Sequence, residues 1–91
     1  GQKGENYSLF SLNAEHVMLD TVKLSEDGKS MILRLYEYQN QRGKVTVSSD
    51  YSIHRVEECN LMENTEAALA HSANSFSFEI KPYEIKTFRV N

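Results

Sequence analysis

The side chains able to do chemistry are few and widely spaced. His16, His54 and His71 are the three histidines, each in or beside a polar segment. None forms an HxxxH-type spacing on a predicted helix, so metal ligation is not expected. Cys59 is the single cysteine, which rules out an internal disulfide and a thiolate zinc cluster. A Cys59–His pair would need an orienting third group and an oxyanion hole, and neither is marked. Cys59 therefore reads as a small buried apolar side chain. A domain this small without a disulfide suits a reducing compartment, so a cytoplasmic location is expected. The four glycines contain no phosphate-binding loop. Asp20, Glu37, Glu57, Glu58 and Glu79 all fall on segments with strand character. A glycosidase needs two carboxylates at a set separation, but carboxylates on a sandwich strand usually point to solvent. Glu57 and Glu58, as strand neighbours, face opposite ways. No self-sufficient catalytic machinery and no cofactor are expected in this segment.

One group of residues stands out. Arg34, Tyr36 and Tyr38 lie at i, i+2 and i+4 and line one strand face with a cation and two phenols. Tyrosine rings stack on sugars or anchor protein interfaces, where Tyr and Arg are enriched. Three readings of that face stay open: packing under a neighbouring strand or loop of the same domain, an interface with another domain, or a ligand platform.

The elements that must position these residues are strands. From Ser30 to Gln39 the pattern alternates, with Met31, Leu33 and Leu35 on one side and Ile32, Arg34, Tyr36 and Tyr38 on the other. Val17 to Ser25 is also strand-like, with Val22 and Leu24 inward and Thr21, Lys23 and Ser25 outward. Asp27-Gly28 between the two segments is a strong hairpin signal and predicts an antiparallel pair. Asn40 to Gly43 is another turn, followed by Lys44 to Ser49 with Val45 and Val47 inward. Ile53 to Leu61 is a weaker strand with Val56, Cys59 and Leu61 as expected core contacts. Phe76, Phe78 and Ile80 share one face of Ser75 to Ile80, and Lys81-Pro82 ends that strand. Glu84 to Val90 closes the chain with Phe88 and Val90 on one face, and Leu9 to Leu12 reads as a short first strand. Met62 to Ala73 holds good helix formers, but an isolated helix of that length is marginal. A turn of helix or an ordered loop is expected there.

About seven short strands joined by turns indicate an all-β fold, an antiparallel β-sandwich of Ig-like type. The 91 residues amount to one domain with one modest core, taken as 9–91 behind a flexible segment, 1–8. Asn6-Tyr7-Ser8 fits a glycosylation sequon, a pattern short enough to arise by chance. Hydrophobic residues at 40% and charged residues at 25% are ordinary globular values. The net charge of −3 and the scattered cations offer no nucleic-acid footprint. No apolar stretch approaches the roughly 20 residues of a membrane-spanning helix, and no signal-peptide core opens the sequence. Neither nucleic acid nor membrane is expected as a partner.

Two stretches carry more than periodicity. Glu57-Glu58-Cys59-Asn60-Leu61-Met62-Glu63, followed by the run from Asn74 to Val90 that contains Lys81-Pro82-Tyr83-Glu84-Ile85-Lys86-Thr87, resembles the C-terminal end of the α-mannosidases of glycoside hydrolase family 38. That family closes with an Asn-Leu-x-Glu segment, a variable loop and a K-P-F-E-I-K-T strand pair, and Tyr83 stands where Phe is usual. Arg34-Leu35-Tyr36-Glu37 is similar to the family's R-L-Y-E strand. The resemblance runs from about Leu9 to Val90, and Met62 to Ala73 diverges from the family's more acidic loop. It implies a non-catalytic C-terminal β-sandwich module of a larger enzyme that hydrolyses α-linked mannose with retention. The zinc ion and carboxylate nucleophile would then belong to an N-terminal catalytic domain, and none of those residues transfers to this chain. The implied partners are the remaining domains of the parent enzyme, and mannosides if the module meets substrate. Arg34, Tyr36, Glu37 and Tyr38 are the residues expected at an interface or facing sugar. The alternatives are a free-standing carbohydrate-binding module and an Ig-like protein-interaction domain.

Overall fold

The computed structural model describes residues 10–60, 62 and 64–91. The expected flexible segment 1–8 and the expected core contact Leu61 lie outside the described residues. Eight strands follow in order: β1 Phe10–Leu12, β2 Val17–Leu24, β3 Met31–Glu37, β4 Gly43–Ser49, β5 Val56–Cys59, β6 Thr65–Leu69, β7 Ser75–Ile80 and β8 Ile85–Val90. They form a three-stranded sheet, β1-β4-β7, and a five-stranded sheet, β2-β3-β8-β5-β6. Every pairing is antiparallel. The expected β-sandwich is the observed fold, with eight described strands where about seven were expected.

The additional strand is β6. Its residues carry helix propensity, but pairing from Val56↔Leu69 to Cys59↔Thr65 holds them extended along the sheet edge. Tertiary hydrogen bonding overrides a weak local preference.

Alternation accounts for most of the core. Leu33 and Leu35 from β3, Val45 and Val47 from β4, Phe76, Phe78 and Ile80 from β7, and Phe88 and Val90 from β8 form one buried cluster. Phe88 is fully buried, with ring centroids 5.1 Å from Phe76 and 4.6 Å from Phe78. Burial of such a ring stabilises the fold by about 1.5–3 kcal/mol. In β2 the register slips between Leu19 and Thr21, so Asp20 is an extra residue. That bulge lets Val17 and Leu19 before it and Val22 after it all pack on the core. Leu24 was expected inward, but at the end of this edge strand it is 63% exposed. Cys59 is buried as expected yet lies on the opposite face of β5 from Val56. It pairs with Thr87, whereas Val56 pairs with the core residue Val90.

The turns separate into two kinds. Ser25–Ser30 closes a hairpin within one sheet, with Gly28 at φ +73° and the Ser25 amide donating to the Ser30 carbonyl at 2.8 Å. Asp27 accepts from the Ser25 hydroxyl and the Lys29 amide, and these bonds hold its carboxyl below the usual range. β5 and β6 are likewise joined within one sheet, and five connections cross between sheets, at β1–β2, β3–β4, β4–β5, β6–β7 and β7–β8. The β4–β5 and β6–β7 crossings are tied together by Ile53 N–H to Ala73 C=O at 2.6 Å and Ser49 N–H to Asn74 C=O at 2.7 Å. The remaining three meet at one side chain, Glu37.

Candidate functional site

Glu37 ends β3 on the same side as Leu33 and Leu35, opposite Val17 of β2. It is fully buried. Its Oε2 accepts the backbone N–H of Gln39 at 3.0 Å and of Gln41 at 2.9 Å. His16 Nδ1, at the β1–β2 crossing, lies 3.1 Å from the same oxygen. Its Oε1 accepts the N–H of Asn40 at 3.0 Å and of Tyr83 at 2.7 Å. Asn40 and Tyr83 are the non-glycine residues with positive φ among the described residues, at 58° and 59°. A side chain in that left-handed conformation is disfavoured by about 1–2 kcal/mol. The carboxylate thus holds both strained turns by their amides.

Burial acts to push the Glu37 carboxyl up. The amides of Tyr83, Gln41 and Gln39, with His16, outweigh it and bring the value down to about 2. A carboxylate with both oxygens occupied and a value far below neutrality cannot donate or accept a proton usefully in turnover. Its work is to lock three sheet crossings. The sequence pointed to Glu37 with Arg34, Tyr36 and Tyr38, but the structure separates it from them, enclosing it on the core side of β3.

Arg34 and Tyr36 lie on the outer face of the five-stranded sheet. Arg34 Nε donates to Thr87 Oγ1 of β8 at 3.3 Å. Its two terminal nitrogens have no hydrogen-bond partner among the described residues. Tyr36 pairs with Met18 on β2 and with Ile85 on β8, so the three side chains form a row across the sheet. Met18 and Ile85 are each 48% exposed. Tyr38 lies past the end of β3. Its amide donates to His16 C=O at 3.0 Å and its hydroxyl to Glu15 C=O at 2.8 Å, which fastens it to the β1–β2 crossing. Met18 and Ile85 were not anticipated, because alternation gives a residue's face but not its cross-strand neighbour.

Glu57 and Glu58 are engaged structurally. Glu57 is paired with Arg55 at 2.7 Å and accepts from Thr65 Oγ1 at 3.1 Å. Glu58, on the opposite face, meets Lys86 at 2.9 Å. Burial pushes the Cys59 thiol up from its usual value, which leaves it an inert packing group. Among the described residues no three His, Cys, Asp or Glu side chains converge to hold a metal ion.

A polar lock at one end of a sandwich and a half-exposed row on one face suit a building block rather than a reaction centre. Comparison with known proteins agrees. Residues 16–88 match the family described as the glycosyl hydrolases family 38 C-terminal beta sandwich domain. The chain belongs to that family. The matched span opens on His16 and takes in Glu37, Tyr83 and the whole Met18–Tyr36–Ile85 row. The family 38 sandwich domain is also 33% identical over 87 residues to alpha-mannosidase G of Dictyostelium discoideum, covering 90% of this chain. It spans only 8% of that relative's length.

Proposed function

We propose that this chain is the non-catalytic C-terminal structural domain of a multidomain α-mannosidase whose other domains hydrolyse terminal α-linked mannose. The observation that carries the reading is the family match over residues 16–88. The geometry supports it: Glu37, which ends the segment similar to the family's R-L-Y-E strand, is used up in holding the sandwich together. Among the described residues no three His, Cys, Asp or Glu side chains converge on one point, which supports assigning the family's zinc to another domain. The metal and the nucleophile are assigned to the parent's catalytic domain, and the domain's partners are the other domains of that polypeptide. A cytoplasmic location is part of the same proposal and rests on Cys59 being the single cysteine.

The reading is tested by assaying the 91-residue chain on an aryl α-mannoside with added zinc, beside the full-length polypeptide. Turnover by the full-length polypeptide and none above the blank by the chain is expected. Turnover by the chain alone would overturn its non-catalytic assignment.

A further inference from the structure

The two outer faces of the sandwich differ in chemistry. On the three-stranded sheet, Ser11 pairs with Ser48, Ser48 with Ser75, and Thr46 with Ser77. Short hydroxyls therefore cover that face, and Thr46 and Ser77 bond each other at 2.8 Å. Such a surface is content in water. On the five-stranded sheet the Met18–Tyr36–Ile85 row leaves apolar atoms in solvent, with Met18 and Ile85 each 48% exposed. Arg34 occupies the next outward position along β3, its Nε spent on Thr87.

A cation beside exposed aliphatic and aromatic groups is the composition of an interface core rather than of a solvated face. An Arg fork with its ends available is completed best by a carboxylate, which it can bind in a bidentate manner. The chain accounts for 8% of the relative it matches over 90% of its own length, so most of such a polypeptide lies outside it. We infer that the outer face of the five-stranded sheet docks a segment of another domain of the same polypeptide. That segment presents apolar side chains to Met18, Tyr36 and Ile85 and a carboxylate to Arg34. The inference rests on reading the chain as one domain of a longer enzyme, and it adds which face is covered and by what chemistry.

Single cysteines placed in the full-length polypeptide test this. Met18→Cys, Ile85→Cys and, on the hydroxyl face, Ser48→Cys are treated with a maleimide, and labelling rates are read peptide by peptide by mass spectrometry. Met18→Cys and Ile85→Cys should label at least about tenfold more slowly in the native polypeptide than in urea, as expected for groups at a water-excluded interface core. Ser48→Cys should label readily in both. Adding Arg34→Glu to Ile85→Cys should restore fast labelling, and Arg34→Lys should do so less. Fast native labelling at Met18→Cys and Ile85→Cys overturns the docking face, as does equal protection of Ser48→Cys. Protection that survives Arg34→Glu overturns the carboxylate partner. Mannosidase activity separates the two readings. Fast labelling in an active enzyme refutes the docking alone, whereas protection in a polypeptide without activity supports the docking and refutes the enzymatic assignment.

Discussion

Glu37 offers the sharpest test of the physical reasoning, through the pH dependence of stability. In the fold its carboxyl value is brought to about 2 from an ordinary 4.5. A depressed folded value contributes stability that is fully present above about 4.5 and is lost as the pH falls through about 2. At pH 3 the folded carboxylate binds 1/(1+10), about 0.1 proton, while the unfolded one binds nearly a whole proton. Unfolding at that pH therefore takes up about 0.9 proton at this one residue. Glu37→Gln removes the titration. It also replaces one acceptor oxygen with an amide that faces donors, so it is less stable at neutral pH. The assay is urea unfolding of the wild type and Glu37→Gln at closely spaced pH values from 2 to 6. The wild-type curve should fall more steeply with decreasing pH, by a slope equivalent to about 0.9 proton near pH 3. The gap between the two proteins should close towards pH 2. Parallel stability curves, with the same gap at pH 2.5 and pH 6, would refute the claim that Glu37 is ionised and held by the turn amides.

Two further substitutions probe the same fold. Tyr83→Gly should leave stability unchanged or raise it by up to about 1 kcal/mol, because relief of the left-handed strain exceeds the added backbone entropy; a loss of urea stability would show that the half-exposed ring matters more than its backbone. Phe88→Ala should cost about 3–5 kcal/mol by opening a cavity beneath Phe76 and Phe78, and chemical denaturation that finds less than about 1 kcal/mol would place the core elsewhere. The substrate assay on the isolated chain and the cysteine-labelling pattern in the full-length polypeptide test the functional proposals.

Much was determined by local order along the chain. Strict alternation in Leu33/Leu35, Val45/Val47, Phe76/Phe78/Ile80 and Phe88/Val90 assigned the inner faces, since side chains on a strand repeat every second residue wherever the strand is placed. Asp27-Gly28 announced its hairpin for a similarly local reason, the need for positive φ at Gly28. The closing Lys81-Pro82-Tyr83-Glu84-Ile85-Lys86-Thr87 run pointed to the family directly. The tertiary structure decided everything that depends on who lies beside whom. Helix formers from Thr65 to Leu69 became a strand because β5 offered an edge to pair with. Tyr36 acquired Met18 and Ile85 through register, which no single strand encodes. Glu37 read from the sequence as an interface or sugar-facing carboxylate beside Tyr36. It became the lock of three crossings because turns distant in sequence bring their amides to one point, where desolvated N–H groups need an acceptor.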